Sequence, residues 1–387
     1  MSQNARLERT AAALQEGQLD LYLATKTSDI RWLTGFSRVF DAESAHALLV
    51  AAPAAGEPQL WLHTDTRYSG AMRPQMAGVL DRLDDERKAH SQFLAESLGE
   101  LTRPGGGSGA RESATALRLG IEADLPLYAF RAITKALDGV DGLHYELVEK
   151  SDFLETLRSV KDSAEVATMR AAQAITDAGF KHMLDYLKPG LTEAEAAIEL
   201  EFYMRRQGSE GLSFATILAS GPNSAVPHAI PGARVLQAGD FVLMDFGARL
   251  DDYCSDMTRT VVLGTADERQ RQLYTTVLAA QTEALAMLRP GLEKTAPQLH
   301  VNQLFAAAGF ADLTHGLGHG VGIDIHELPV LSVKGEGCLE VGNVVTVEPG
   351  LYETDFGGVR IEDYGVVTVD GFDDFTASPK ELIELRS

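Results

Sequence analysis

Residues 240–247 read DFVLMDFG. The apolar run is short, bounded by Asp240 and Gly247, and has the character of a buried strand. Asp245 sits inside it. A lone carboxylate buried there would cost several kcal/mol unless a cation, a hydrogen-bond network or a metal answered it. Working outward, the same difficulty recurs four times in the C-terminal half. Asp256 lies in YCSDMTRT (253–260), His319 in THGLGHGVG (314–322), Glu348 in VVTVEPG (344–350) and Glu362 in GGVRIEDYGVV (357–367). Any one of these residues would ordinarily be structural. Five in one domain, all on apolar segments or glycine-rich turns, are hard to satisfy separately.

Charge bookkeeping offers one solution. Two divalent cations balance four carboxylates, and a neutral imidazole adds nothing to the sum. Oxygen-rich ligands with a single imidazole suit Mn, Fe, Co or Zn rather than a thiolate site. Metals about 3.5–4 Å apart can share bridging carboxylates and activate a water between them.

A chain of 387 residues suggests two domains. Its character changes near 150–160, so we place an N-terminal α/β domain at 1–155 and a second domain at 156–387. Strands are expected at 19–24, 46–52 and 59–63, and helices at 91–101 and 127–137. The stretch RPGGGSGARES (103–113) reads as a flexible loop. Its Gly105, Gly107 and Ala110 fit a relaxed dinucleotide fingerprint, but no strand leads into them. Beyond it, SAEVATMRAAQAITDAGFKHMLD (163–185) is a long amphipathic helix with a serine start. Thr192 and Glu195 form a capping box for a second helix at 192–207. Strands are expected at 240–247, 260–263, 344–348 and 359–362, with helices at 268–288 and 296–308. Strands and helices alternate irregularly, which suggests α+β rather than a doubly wound sheet.

The strings MDFG, YCSDMTRT, HGLGHGVGIDIHE, TVEPGLY and GVRIED resemble, in order and spacing, the motif series of the creatinase/prolidase/methionine aminopeptidase superfamily, the pita-bread fold. The likeness covers the whole chain. Residues 1–155 look like the smaller domain of prolidases and Xaa-Pro aminopeptidases, and the linker LRSVKDSAEVATMRAA (157–172) resembles theirs. The resemblance implies a pita-bread metallopeptidase with two divalent ions, Mn²⁺ first and Co²⁺, Zn²⁺ or Fe²⁺ as alternatives. It implies that Asp245 holds one ion, Asp256 and Glu362 bridge both, and His319 and Glu348 complete the second site. Glu348 would also be the general acid/base, acting on a water bridging the ions. His228, in GPNSAVPHAIPG (221–232), would contact the scissile carbonyl. His315 and His326 would line the substrate pocket and bind the reacting group, where donors facing developing charge lower the barrier. Arg360 would recognise the proline or the substrate carboxylate end. Tyr352 would support the metal network, and Thr258 would orient Asp256. His46, His63, His90, His144, His182 and His300 carry no such context.

The formal net charge of -22 makes nucleic acid a poor partner. Nowhere do 18 consecutive apolar residues occur, and the N-terminus has no apolar run. We therefore expect a cytoplasmic protein with no membrane contact. Cys254 and Cys338 read as free thiols. There is no HExxH, since His326-Glu327 is followed by Leu-Pro-Val, and there is no phosphate loop or GxSxG elbow. The glycines around His319 suit close backbone approach.

A pita-bread protein that has lost its metals and serves as an interaction module is the competing class. A complete ligand set argues against it, and against metal-free creatinase chemistry. A methionine aminopeptidase would not need residues 1–155. Proline fixes φ and lacks an amide hydrogen, so an X-Pro bond requires a shaped pocket. The expected substrate is a peptide with proline second, and the expected assembly is a homodimer. The Xaa-Pro dipeptidase reading is favoured, with an Xaa-Pro aminopeptidase acting on longer peptides as the alternative. The 35–47 loop, GFSRVFDAESAHA, is the candidate for blocking longer substrates, with Arg38 a possible partner for a free carboxylate.

Overall fold

The computed structural model describes residues 3–41, 43, 45–51, 58–102 and 116–386. The glycine-rich stretch 103–113 lies outside the described residues. The chain divides into two units, Met1–Leu157 and Arg158–Ser387.

The first unit is built on a six-stranded sheet in the order Arg82–Asp84, Gln59–Thr64, His46–Ala51, Leu21–Ala24, Leu117–Glu122, Tyr145–Lys150. Its pairs are antiparallel where the three apolar strands near the N-terminus meet and parallel elsewhere. Leu21, Leu23, Leu49, Leu119 and Ile121 pack with Phe93, Leu94 and Leu98 of the helix His90–Leu101. The structure adds a helix, Gln3–Glu16, where the sequence looks merely polar. It buries only a narrow stripe, Thr10, Ala11 and Leu14, too few apolar residues to stand out. The outer strand Tyr145–Lys150 also escapes the sequence reading, because no residue in it is fully buried.

In the second unit, Ser163–Tyr186 and Glu193–Arg206 are paired helices. The first is capped by Asp162, not by Ser163. The Asp162 carboxylate accepts from the N–H groups of Ala164 and Glu165, and Glu165 returns the bond to Asp162. Thr192 and Glu195 close the capping box of the second helix. A four-stranded sheet runs Glu384–Leu385, Met257–Leu263, Phe241–Phe246, Ile217–Ser220. A five-stranded sheet runs Glu327–Leu331, Gly318–Gly320, Val344–Val347, Asp363–Thr368, Gly371–Asp374. A two-stranded ribbon, Gly350–Glu353 with Gly357–Arg360, continues two strands of the latter. The helices Glu268–Met287 and Ala296–Ala307 cover the core around Leu273, Val277, Val301 and Phe305. This is the α+β architecture expected from the sequence.

Two expected strands end early. Residues 344–348 form a strand only to Val347, and 359–362 only to Arg360. Between the sheet and the ribbon the ladder breaks. The Glu348 N–H goes to the Leu317 carbonyl at 2.8 Å and the Glu362 N–H to the Thr258 carbonyl at 3.1 Å. Glu362 therefore stands where the two sheets and the ribbon meet, and Glu348 where the five-stranded sheet passes into the ribbon. Cys254 is buried and Cys338 exposed, both as free thiols. Among the described residues no helix is long and apolar enough to cross a membrane.

Candidate active site

Five side chains from separate segments line one cavity of about 670 Å³: Asp245, Asp256, His319, Glu348 and Glu362. Strand register sets the first two. Asp245 pairs across the ladder with Thr258 on one side and Ile217 on the other, and Asp256 lies just before Met257, which pairs with Phe246. His319 is centred in the strand Gly318–Gly320. A Cβ on Gly318 would fall 2.0 Å from the Thr346 carbonyl oxygen, and one on Gly320 2.2 Å from that of Leu328. Only glycine lets the flanking strands close on His319.

The imidazole of His319 is oriented by its own backbone. Nδ1 lies 3.0 Å from the Gly320 carbonyl oxygen, so the ring proton belongs on Nδ1. Nε2 then presents a lone pair, 3.6 Å from Asp256 Oδ2 and 3.4 Å from Glu348 Oε1. Burial, with His326 beside it, lowers the His319 pKa to about 4, which keeps the ring neutral. A lone pair facing two ionised carboxylates is repulsive unless a proton or a cation lies among them. Ligand atoms of Asp256, His319 and Glu362 all fall within 4.8 Å of one another.

The acids carry the same signature. Burial, then Glu362, Asp245 and Glu348, push the Asp256 carboxyl far above its ordinary range. Burial, then Glu348 and Asp245, do the same to Glu362. Burial lifts Glu348 to about 8, with Arg360 pulling against it. Asp245 Oδ1 is buried without a hydrogen-bond partner among the described residues. Divalent ions would answer all four strains at once, and hard oxygens with one imidazole are the right donor set.

Arg360 is buried, and most of its N–H groups are already engaged. Nη2 donates to Asp245 Oδ2 at 2.6 Å, Nη1 to the Tyr352 phenol oxygen at 2.9 Å and the Pro227 carbonyl at 3.4 Å, and Nε to Thr258 Oγ1 at 3.0 Å. The sequence reading aimed this guanidinium at substrate; in the structure it braces Asp245 and Tyr352. The Thr258 hydroxyl donates to Glu362 Oε2 at 2.7 Å, so it orients Glu362 and not Asp256. His315 Nδ1 contacts the Gly316 carbonyl at 2.8 Å, which leaves Nε2 to accept from the Tyr352 hydroxyl at 3.0 Å. The ring lines the cavity, but its second nitrogen is held by the phenol.

His228 and His326 are exposed at the cavity and form no hydrogen bond among the described residues. His326 stands edge-on to His319, with ring centroids 4.4 Å apart. Five of the six histidines without motif context take other partners: His46 bonds Thr64, His63 bonds His90, His182 bonds Glu199 and His300 bonds Glu283.

Two acids escaped the sequence reading. Glu327 is buried and pairs with Arg158 at 2.5 Å and with Lys161, fixing the segment that carries His326. Glu193 is buried and accepts from the Ser220 N–H and hydroxyl, both at 2.8 Å, from Asn223 and from the Gly232 N–H at 3.3 Å. It ties down the loop bearing His228. In sequence it looks like an ordinary acid in a first helical turn, favoured there by the helix dipole. Glu327 adjoins His326 in the quoted HGLGHGVGIDIHE string, and that adjacency was the available signal.

The family model of metallopeptidase family M24 matches residues 167–369, and that of the creatinase/prolidase N-terminal domain matches residues 6–160. An uncharacterized peptidase, YqhT, of Bacillus subtilis is 35% identical over 98% of this chain and 100% of its own. A Pyrococcus furiosus Xaa-Pro dipeptidase is 34% identical over 68% of this chain and 82% of its own. The solved structure of an Xaa-Pro dipeptidase from Bacillus anthracis superposes with a TM-score of 0.87 at 33% identity, covering 99% of this chain and 100% of that one.

Proposed function

This chain belongs to metallopeptidase family M24, within the creatinase/prolidase pita-bread superfamily, and from that premise we propose that it hydrolyses the Xaa-Pro bond of dipeptides with two divalent ions. In this reading Asp245, with Asp256 and Glu362, would hold one ion, and His319 and Glu348, with the same Asp256 and Glu362, would hold the other. When bound, the ions would polarise the scissile carbonyl and make water a nucleophile at neutral pH. Glu348 would accept the proton of the attacking water and pass it to the proline nitrogen as the C–N bond breaks. His228 and His326, which form no hydrogen bond among the described residues, face the substrate and donate to the carbonyl oxygen as charge develops there. Arg360 and Tyr352 hold Asp245 and His315 in place, so the site closes on substrate without reorganising.

One observation carries the proposal: the unprotonated Nε2 of His319 points at the carboxylates of Asp256 and Glu348. The contact makes chemical sense around a cation. Manganese is the proposed ion, with cobalt, zinc or iron as substitutes. A homodimer in the cytoplasm is the proposed working form, on the family resemblance. The dipeptide preference is supported by relatives named Xaa-Pro dipeptidase that align over much of the chain.

Mass spectrometry on Ala-Pro and Ala-Pro-Ala tests the length preference. The dipeptide should be cut and the tripeptide largely spared. Efficient release of alanine from the tripeptide would replace the dipeptidase reading with an aminopeptidase one.

A further inference from the structure

The wall of the cavity away from the carboxylate cluster has a composition of its own. The helix Glu193–Arg206 presents Ala194, Ala197, Ile198 and Glu201 to it, a spacing of three, four and seven residues that forms one stripe. Phe214, Ile217, Ile230 and Pro231 line the cavity as well. In this apolar surround Glu201 is the exception. It is half-buried and makes no hydrogen bond or ion pair among the described residues. The other three glutamates of the helix all have partners. Glu193 takes Ser220, Glu195 takes Thr192, and Glu199 takes His182.

We propose that Glu201 selects substrates whose first residue carries a cationic side chain, lysine or arginine. This rests on reading the cavity as the Xaa-Pro peptidase site. A partly desolvated carboxylate without a protein partner gains from a cation, and the apolar stripe beside it suits the methylenes of a long basic side chain. The Ala194 N–H is bonded to the Gly232 carbonyl, at the end of the helix held by the His228 loop. Seven residues further on, Glu201 lies about 10 Å along the helix axis from that end. The free α-amino group lies two bonds from the scissile carbonyl, and the response of Glu201→Gln separates it from a side-chain cation.

The test compares kcat/KM of the metal-loaded full chain on Lys-Pro and norleucine-Pro, which share four side-chain carbons and differ in the terminal ammonium. The unmodified enzyme should prefer Lys-Pro by roughly tenfold. Glu201→Gln should bring the ratio near one, and Glu201→Lys should shift preference to Glu-Pro. Equal rates on the two dipeptides by the unmodified enzyme would overturn the inference without calling on any variant to fold. So would an equal fall on both dipeptides in Glu201→Gln, the mark of α-ammonium recognition. Failure to cut any of these dipeptides would remove the proposed peptidase function and this inference with it. Cleavage without charge preference removes the inference alone.

Discussion

Arg360 Nη2 lies 2.6 Å from Asp245 Oδ2, while Asp245 Oδ1 is buried with no hydrogen-bond partner among the described residues. The guanidinium thus pins one carboxylate oxygen and leaves the other free for an ion. Three further contacts, to Tyr352, Thr258 and Pro227, use the planar fork of arginine in a way an ammonium cannot copy. Arg360→Lys should therefore lower metal affinity about 10–100-fold, as loss of a ligand-orienting partner does. Arg360→Met should in addition destabilise the fold by about 3–5 kcal/mol, the cost of stranding a buried charge. Calorimetric metal titration and thermal melts check both; unaltered metal affinity in Arg360→Lys would show that Asp245 needs no brace.

Chelation should abolish cleavage, and Mn²⁺ or Co²⁺ should restore it. Full activity after exhaustive dialysis against chelator would contradict the metal assignment.

The metal-free protein should also respond to pH in a specific direction. Burial and mutual repulsion raise Asp256 and Glu362 far above the carboxylate range, and burial takes Glu348 to about 8 from an ordinary 4.5. Carboxyls whose folded pKa exceeds the unfolded value bind more protons when folded. Their stabilisation is present below about 4.5 and is lost as pH rises through about 8. Chelated protein should melt lower at pH 8.5 than at pH 6, and added metal should raise the midpoint more at the higher pH. Differential scanning calorimetry at the two values decides the matter, and a metal increment independent of pH would count against the cluster.

Glu348→Gln keeps the shape but removes both the proton carrier and one charged metal ligand, so it is assayed at saturating Mn²⁺. Turnover of Ala-Pro should fall roughly 10²–10⁴-fold with a much smaller change in KM. A loss confined to KM would reassign Glu348 to substrate binding.

Glu193 touches nothing that reacts, yet it holds the loop of His228 through Ser220, Asn223 and Gly232. Glu193→Gln should lower kcat about tenfold. Its effect should largely vanish in a His228→Ala background, because the two changes act on one element. Additive losses in the double variant would make Glu193 a general stabiliser instead.

The amino-acid sequence alone determined the chemical inventory. Asp245 in DFVLMDFG, the glycines on either side of His319 and the acids ending VVTVEPG and GGVRIED are locally out of place, and that misfit is readable without coordinates. It likewise determined the long helices, since capping residues and apolar periodicity are short-range signals. What only the tertiary structure decided is which groups meet. The ladder break that frees Glu348 and Glu362 depends on carbonyls of Leu317 and Thr258, some thirty and a hundred residues away. The Thr258 hydroxyl chose Glu362 over its neighbour Asp256, and Arg360 turned inward to Asp245, because strand register set those distances. Glu193, Glu201 and Glu327 look alike in sequence as helix-turn or motif-flanking acids. Packing buried two of them against partners and left the third facing the cavity with none among the described residues.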